Sequence, residues 1–566
     1  MADGCAERIL DENYADFMFR YGESLDAIKN RFDACVSRIN YDTAAVYIPI
    51  ADIPRNFIHL YGYGAFPNCY GLLDISAVEA SGATRVRNIP NLNLRGQGVL
   101  IGLVDTGIDY THSVFRKADG TSKVYSIWDQ TIQTENGAPQ DFFFGTEYTQ
   151  AQINEALASE DPLSIVPSTD TDGHGTFLAG IAAGNLDEEN DFTGVVPDAE
   201  LVVVKLKQAK NFIRNFWRIP DEVPCFQKND FMHALKYLVD VANAANRPIS
   251  IIIGIGTSQG AHDERGALSS YITTLAAQSG VAISIAAGNE GNRGHHYFGT
   301  IARDAEFDTV ELKVGPNESG FSMEFWGQTP FTFSFDILSP SGEYIPRIPA
   351  RLNESREVHF IFEQTVIDID YQIIESQSGD QLILVRFTTP AEGIWRFRVY
   401  SSGSVELSYH VWLPIHQFIT DQTNFIRPDN NVTLTSPANV YIPIVATAYD
   451  HNNNSLYLNA SRGYTRNNNI APSFAAPGIN LIGPALNNGF TTSTGTSVAA
   501  AHTAGNVAMI LEWGIVRGNY VQLSTVEIKN LLIRGAKRDP SLSYPNRDWG
   551  YGILDLYSAY NSLRSD

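Results

Sequence analysis

The stretch that decides the fold is 99-VLIGLVDTGID-109, an aliphatic run that ends on Asp105 and turns at once through Thr106 and Gly107. A run this apolar, with no alternation, reads as a strand buried on both faces, and such strands belong to parallel sheets covered by helices on either side. Three further runs share the pattern: 199-AELVVVK-205, 248-PISIIIGIG-256 and 281-VAISIAAGN-289. Between them, 229-NDFMHALKYLVDVANAANR-247 and 264-ERGALSSYITTLAAQSG-280 carry apolar residues at spacings of three and four, the mark of amphipathic helices. Strand and helix in strict alternation predict an α/β fold, a doubly wound parallel sheet.

From about Tyr297 the period changes to two. Segments such as 309-TVELKVG-315, 321-FSMEFWG-327, 358-VHFIFEQ-364, 380-DQLILVRFTT-389 and 394-IWRFRVY-400 alternate between Gly, Pro, Asn and Ser turns, which predicts an all-β, jelly-roll-like domain. The first pattern resumes with 440-VYIPIVATA-448, a helix starting near Ser497, and a capping box of Ser524 and Glu527. Upstream, 24-SLDAIKNRFDACVSRI-39 is helical in period and 43-TAAVYIPI-50 strand-like, so a small α+β unit precedes the sheet. The expected units are 1–80, 81–296, an inserted 297–432, and 433–566.

Bulk properties narrow the function classes. The chain has 566 residues, 44% hydrophobic and 18% charged, with a net charge of −23. Such a charge argues against nucleic acid or an anionic membrane as partner. Its N-terminus carries acids where a secretory leader carries bases, no window is long and apolar enough to span a membrane, and a cytoplasmic site of synthesis is expected. The four cysteines, Cys5, Cys35, Cys69 and Cys225, form no CxxC pair and read as free thiols. No cofactor is expected. The acidic loop 185-NLDEENDF-192 is a place for calcium by charge, without a recognisable ligand spacing.

Functional groups in parallel sheets collect beyond the carboxyl ends of the strands. Asp105 is there, though a lone acid after a strand is more often a helix cap. His174, in 168-STDTDGHGTFLAGIAAGN-185, is flanked by glycines that leave its ring open to partners. Asn289 follows a buried strand among glycines, a setting that equally suits a turn residue. Ser497, in 495-GTSVAAAHTAG-505, lies where a small-residue helix begins. Together they complete one acyl-transfer set: a serine needs a base, the base a carboxylate, and the oxyanion a donor.

The blocks 103-LVDTGID-109, 172-DGHGTFLAG-180 and 495-GTSVAAAHTAG-505, with 286-AAGNEG-291, resemble the subtilase family of serine proteases, over roughly Asn91–Gly291 and Thr433–Leu556. The resemblance implies Asp105, His174 and Ser497 as the triad and Asn289 as the oxyanion donor, with Thr496 helping to shape that site. Gly254, Ile255, Gly256 and Glu290 would bind substrate, Glu290 lining the pocket for the residue before the cut bond. Val498 and Ala501 depart from the usual Met and Pro, and His502 carries no catalytic role. Residues 1–80 would be a propeptide, a bound inhibitor in a zymogen, cut away autocatalytically between Pro67 and Ser81. The layout resembles the Csp germination proteases of clostridial spores, implying a protein substrate, a cortex-lytic proenzyme, and a spore location. A propeptide-occluded scaffold with little turnover and a general bacterial protease are the alternatives.

Overall fold

The computed structural model describes residues 5–563 except 23–24, 33–34, 55, 73–80, 82, 89–91, 353 and 402–405. Among the described residues the main sheet has nine strands. They run Ser455–Leu456, Ile444–Asp450, Val281–Ala286, Ile249–Ile253, Leu100–Asp105, Glu200–Lys205, Val124–Asp129 and Thr146–Thr149, with Phe474–Pro477 also paired to Ile444–Asp450. The centre is parallel, as expected. Short antiparallel strands close the two ends, so the sheet is mixed.

Burial on both faces explains the apolar runs. Ile101, Leu103 and Val203 face one core with the helices His174–Ala183 and Thr496–Leu511. Leu100, Val104, Val202 and Ile253 face the opposite core, with the helices Lys228–Ala244 and Ala267–Ala276. The capping box forms as expected: Ser524 and Glu527 satisfy each other's backbone N–H groups at the head of Thr525–Gly535.

The insertion is a sandwich of two antiparallel sheets, one of six strands from His296–Ile301 to Ser355–His359 and one of five from Tyr344–Ile348 to Asn424–Phe425. Its core is rich in aromatic rings, including Phe325, Phe335, Phe387, Trp395 and Phe397. The run 358-VHFIFEQ-364 departs from expectation: its strand ends at His359, and Ile361 and Phe362 are exposed in the turn that follows.

In the N-terminal unit, the helical reading of residues 24–39 holds only for Leu25–Phe32, because Cys35–Arg38 pairs with Thr43–Pro49 as a strand. Edge pairing outweighed local periodicity there. The reading of four free thiols is also corrected. Cys5 and Cys35 form a disulfide with Cα atoms 5.3 Å apart, while Cys69 and Cys225 are free and buried. Thirty residues separate Cys5 from Cys35, and only the packing of the Cys5–Leu10 helix against that strand brings them together. Among the described residues, no helix is long and apolar enough to cross a membrane.

Candidate active site

Asp105 ends the central strand, fully buried. Its Oδ1 accepts from the Thr106 backbone N–H at 2.8 Å and stands 2.7 Å from Nδ1 of His174. A carboxylate can only accept, so the imidazole proton lies on Nδ1 and Nε2 is left as an acceptor. This approach depends on Gly175, since a Cβ there would run into the Gly107 carbonyl and crowd Asp105. Gly173, at φ 96°, supplies the left-handed turn that starts the His174 helix.

Ser497 is the second residue of a sixteen-residue helix, Thr496–Leu511, and is completely buried. It meets the His174 ring at Gly254: a Cβ on that glycine would lie 3.3 Å from His174 Cε1 and 3.3 Å from Ser497 Cβ, and 2.6 Å from Leu178 Cδ1. The glycine therefore clears the space that base and hydroxyl share. The orphan N–H groups at the helix start, and the dipole behind them, favour negative charge beside Ser497.

Asn289 is oriented by its neighbours. Its Oδ1 accepts from the Thr496 backbone N–H at 3.3 Å and the Thr496 hydroxyl at 3.1 Å, and that hydroxyl also takes the Gly288 N–H at 3.0 Å. The amide Nδ2 is buried and has no partner among the described residues. A buried donor left unpaired is costly, and a group so placed is able to donate where negative charge develops.

The substrate-side residues divide. Ile255 and Gly256 form a short strand paired antiparallel with the N-terminal unit, Ile255 opposite Leu72 and Gly256 opposite Gly71. The segment Cys69–Leu72 also pairs on its other edge with Phe226–Gln227. Glu290 is otherwise engaged than expected. It is 2% exposed, and its two carboxylate oxygens accept from His295 Nδ1 at 3.0 Å, His416 Nδ1 at 2.8 Å and the His416 backbone N–H at 3.1 Å. Burial pushes its pKa up, but the bonds from His295 and His416 outweigh that and hold it down at about 2. No oxygen is left to select a basic side chain. His295 and His416 lie on the two connections of the inserted sandwich, and nothing local in the sequence marks them as partners of Glu290.

Asp172 lies beside this site, its Oδ1 accepting from the His174 N–H at 3.2 Å, and burial raises its pKa. His502 is fully buried in the Ser497 helix, bonded to Ser81, and burial lowers its pKa to about 3. It fastens Ser81 to the Ser497 helix.

A serine, an imidazole, a carboxylate and an amide donor, set at the ends of doubly wound parallel strands, define a subtilisin-like serine hydrolase architecture. The subtilase family profile matches residues 96–310 and 400–552, and the chain belongs to that family. Among solved structures it is similar to the Clostridium perfringens CspB protease, with 32% identity, a TM-score of 0.75, and coverage of 86% of this chain and 98% of that one. Among curated proteins it is similar to the C5a peptidase of Streptococcus pyogenes, 22% identical over 74% of this chain and 35% of the relative. The subtilisin-like protease SBT2.2 of Arabidopsis thaliana is 36% identical over 16% of this chain and 11% of its own length. The chain thus spans about a third or less of these curated relatives.

Proposed function

We propose that this chain is a self-processing serine endopeptidase. Ser497 Oγ attacks the peptide carbonyl as His174 takes its proton. Asp105 holds the imidazole and stabilises its charge, while Asn289 Nδ2 donates to the tetrahedral oxyanion. His174 then protonates the leaving amine, and water discharges the acyl-enzyme by the same steps.

The observation that carries the reading is the strand Cys69–Leu72, held between Ile255–Gly256 and Phe226–Gln227 as an extended peptide would be. It supports the N-terminal unit as a propeptide lying in the cleft, with the cut bond beyond Leu72. Of the expected window Pro67–Ser81, residues 73–80 lie outside the described residues. Buried pairs, Asp16 with Lys210 at 2.7 Å and Lys228 with the Asn68 side chain at 2.7 Å, favour a propeptide that stays bound after cutting. That same occupancy is what favours the second reading, an occluded scaffold with little turnover.

N-terminal sequencing of the purified protein beside Ser497→Ala tests the proposal. A new terminus between residues 73 and 82 in the wild type, absent from the variant, is expected; equal processing in both would refute it. Activation of a spore proenzyme is what the resemblance to the Csp germination proteases implies, and the likeness to the CspB protease supports the protease part of that reading. It requires that the processed protein cut such a proenzyme at one site.

A further inference from the structure

The inserted sandwich returns to the catalytic core through Ile415–Phe418, and this connection lies over the strand Cys69–Leu72. Tyr70 and Leu72 point into the catalytic core with Phe231 and Ile255. Gly71, between them, faces the other way. A Cβ at residue 71 would lie 2.6 Å from Ile415 Cδ1, 2.7 Å from Gln417 Oε1 and 3.3 Å from Phe418 Cε1. Ile415 and Phe418 are each 1% exposed, and Gln417 Oε1 is buried with no hydrogen-bond partner among the described residues. The φ of Gly71 lies outside the left-handed region; its requirement is for space, not for backbone freedom.

We infer that the Ile415–Phe418 connection roofs the cleft and makes it select glycine in the substrate residue opposite Gly256. The inserted sandwich is then part of the specificity apparatus, and the preferred substrates are extended segments of the form aromatic–Gly–Leu, matching Tyr70, Gly71 and Leu72. The inference rests on the peptidase reading, because it takes the propeptide strand as the image of a bound substrate.

Two measurements test it. In the first, the processed protein is offered an eighteen-residue peptide of the sequence 66–83, which spans the expected cleavage window, with Ser for Cys69 and with Gly, Ala or Val at the position of Gly71. Overpacking a closed site predicts a fall in kcat/KM of about tenfold for Ala and about 100-fold for Val. Ile415→Ala should return the Ala peptide to near the Gly rate. Equal rates for all three peptides would overturn the inference.

The second needs no turnover: thermal unfolding of the full chain carrying Ser497→Ala, with Gly71→Val, Ile415→Ala, or both. The roof predicts that Gly71→Val lowers the midpoint and costs less when Ile415 is already Ala. Additive effects would overturn it. A chain that cuts nothing yet shows this coupling would refute the peptidase reading and leave the roof standing.

Discussion

Glu290→Gln isolates the ion cluster behind the oxyanion donor. In the folded chain the Glu290 carboxyl is held at about 2 against a reference of 4.5. A depressed carboxyl contributes stability in full above the unfolded value and loses it as pH falls through the folded one. A gap of roughly 2.5 pH units corresponds to about 3 kcal/mol at pH 7, of which about 2 kcal/mol is gone by pH 3. Glutamine keeps the shape but not the charge, and its amide N–H₂ faces donors unless one histidine moves its proton to Nε2. The variant should therefore be less stable than wild type at pH 7, with the difference shrinking steadily toward pH 3. Urea unfolding at several pH values reads this directly, best in a Ser497→Ala background where nothing is cut. Parallel curves, offset equally at every pH, would show that Glu290 is not held ionised by His295 and His416.

Asn289→Ala should leave KM nearly unchanged and lower kcat by about 100-fold or more, since an amide donor to an oxyanion in a subtilisin site contributes about 3 kcal/mol. Steady-state kinetics on a peptide substrate checks it, and an unchanged kcat would remove Asn289 from the site. Gly175→Ala should abolish processing while the fold persists, because the added methyl meets the Gly107 carbonyl and separates His174 from Asp105; circular dichroism and the processing gel read the two halves. Glu324, 3% exposed and bonded by Tyr63, Gly260 and Trp326, is raised by burial to about 6. A raised carboxyl favours the folded state at low pH and loses that benefit as pH rises from below 4.5 to above 6, by about 2 kcal/mol in all. Glu324→Gln should flatten this loss in thermal midpoints measured between pH 4.5 and 7.

The α/β layout was legible because burial on both faces erases alternation, and 99-VLIGLVD-105 can hardly be read otherwise. The glycines beside His174 were legible for a related reason, since Gly173 and Gly175 flank it directly in the sequence, whereas Gly254, which adjoins both His174 and Ser497 in space, lies far from Ser497 along the chain. Elements stabilised at a distance were not legible. Cys69–Leu72 is only four residues long and gains its strand character from two partners more than 150 residues away. Glu290 looked like an open pocket acid because His416, 126 positions later, gives no local sign of meeting it. The bridge between Cys5 and Cys35 is hidden likewise, since its closeness is made by a helix packing on a strand.

The sandwich interrupts the main sheet between Val281–Ala286 and Ile444–Asp450, two strands that lie side by side. Asp105, His174 and Asn289 therefore leave the ribosome well before the strand that must dock beside them, and Ser497 later still. At a synthesis rate of about 5–20 residues per second, the delay is on the order of ten seconds or more. On the proposed roles, the half-built chain holds through that interval a base and an oxyanion donor but no nucleophile with which to attack its own nascent chain or its neighbours. The order of segments would thus act as a timer, arming the proposed peptidase only after its roof has been made.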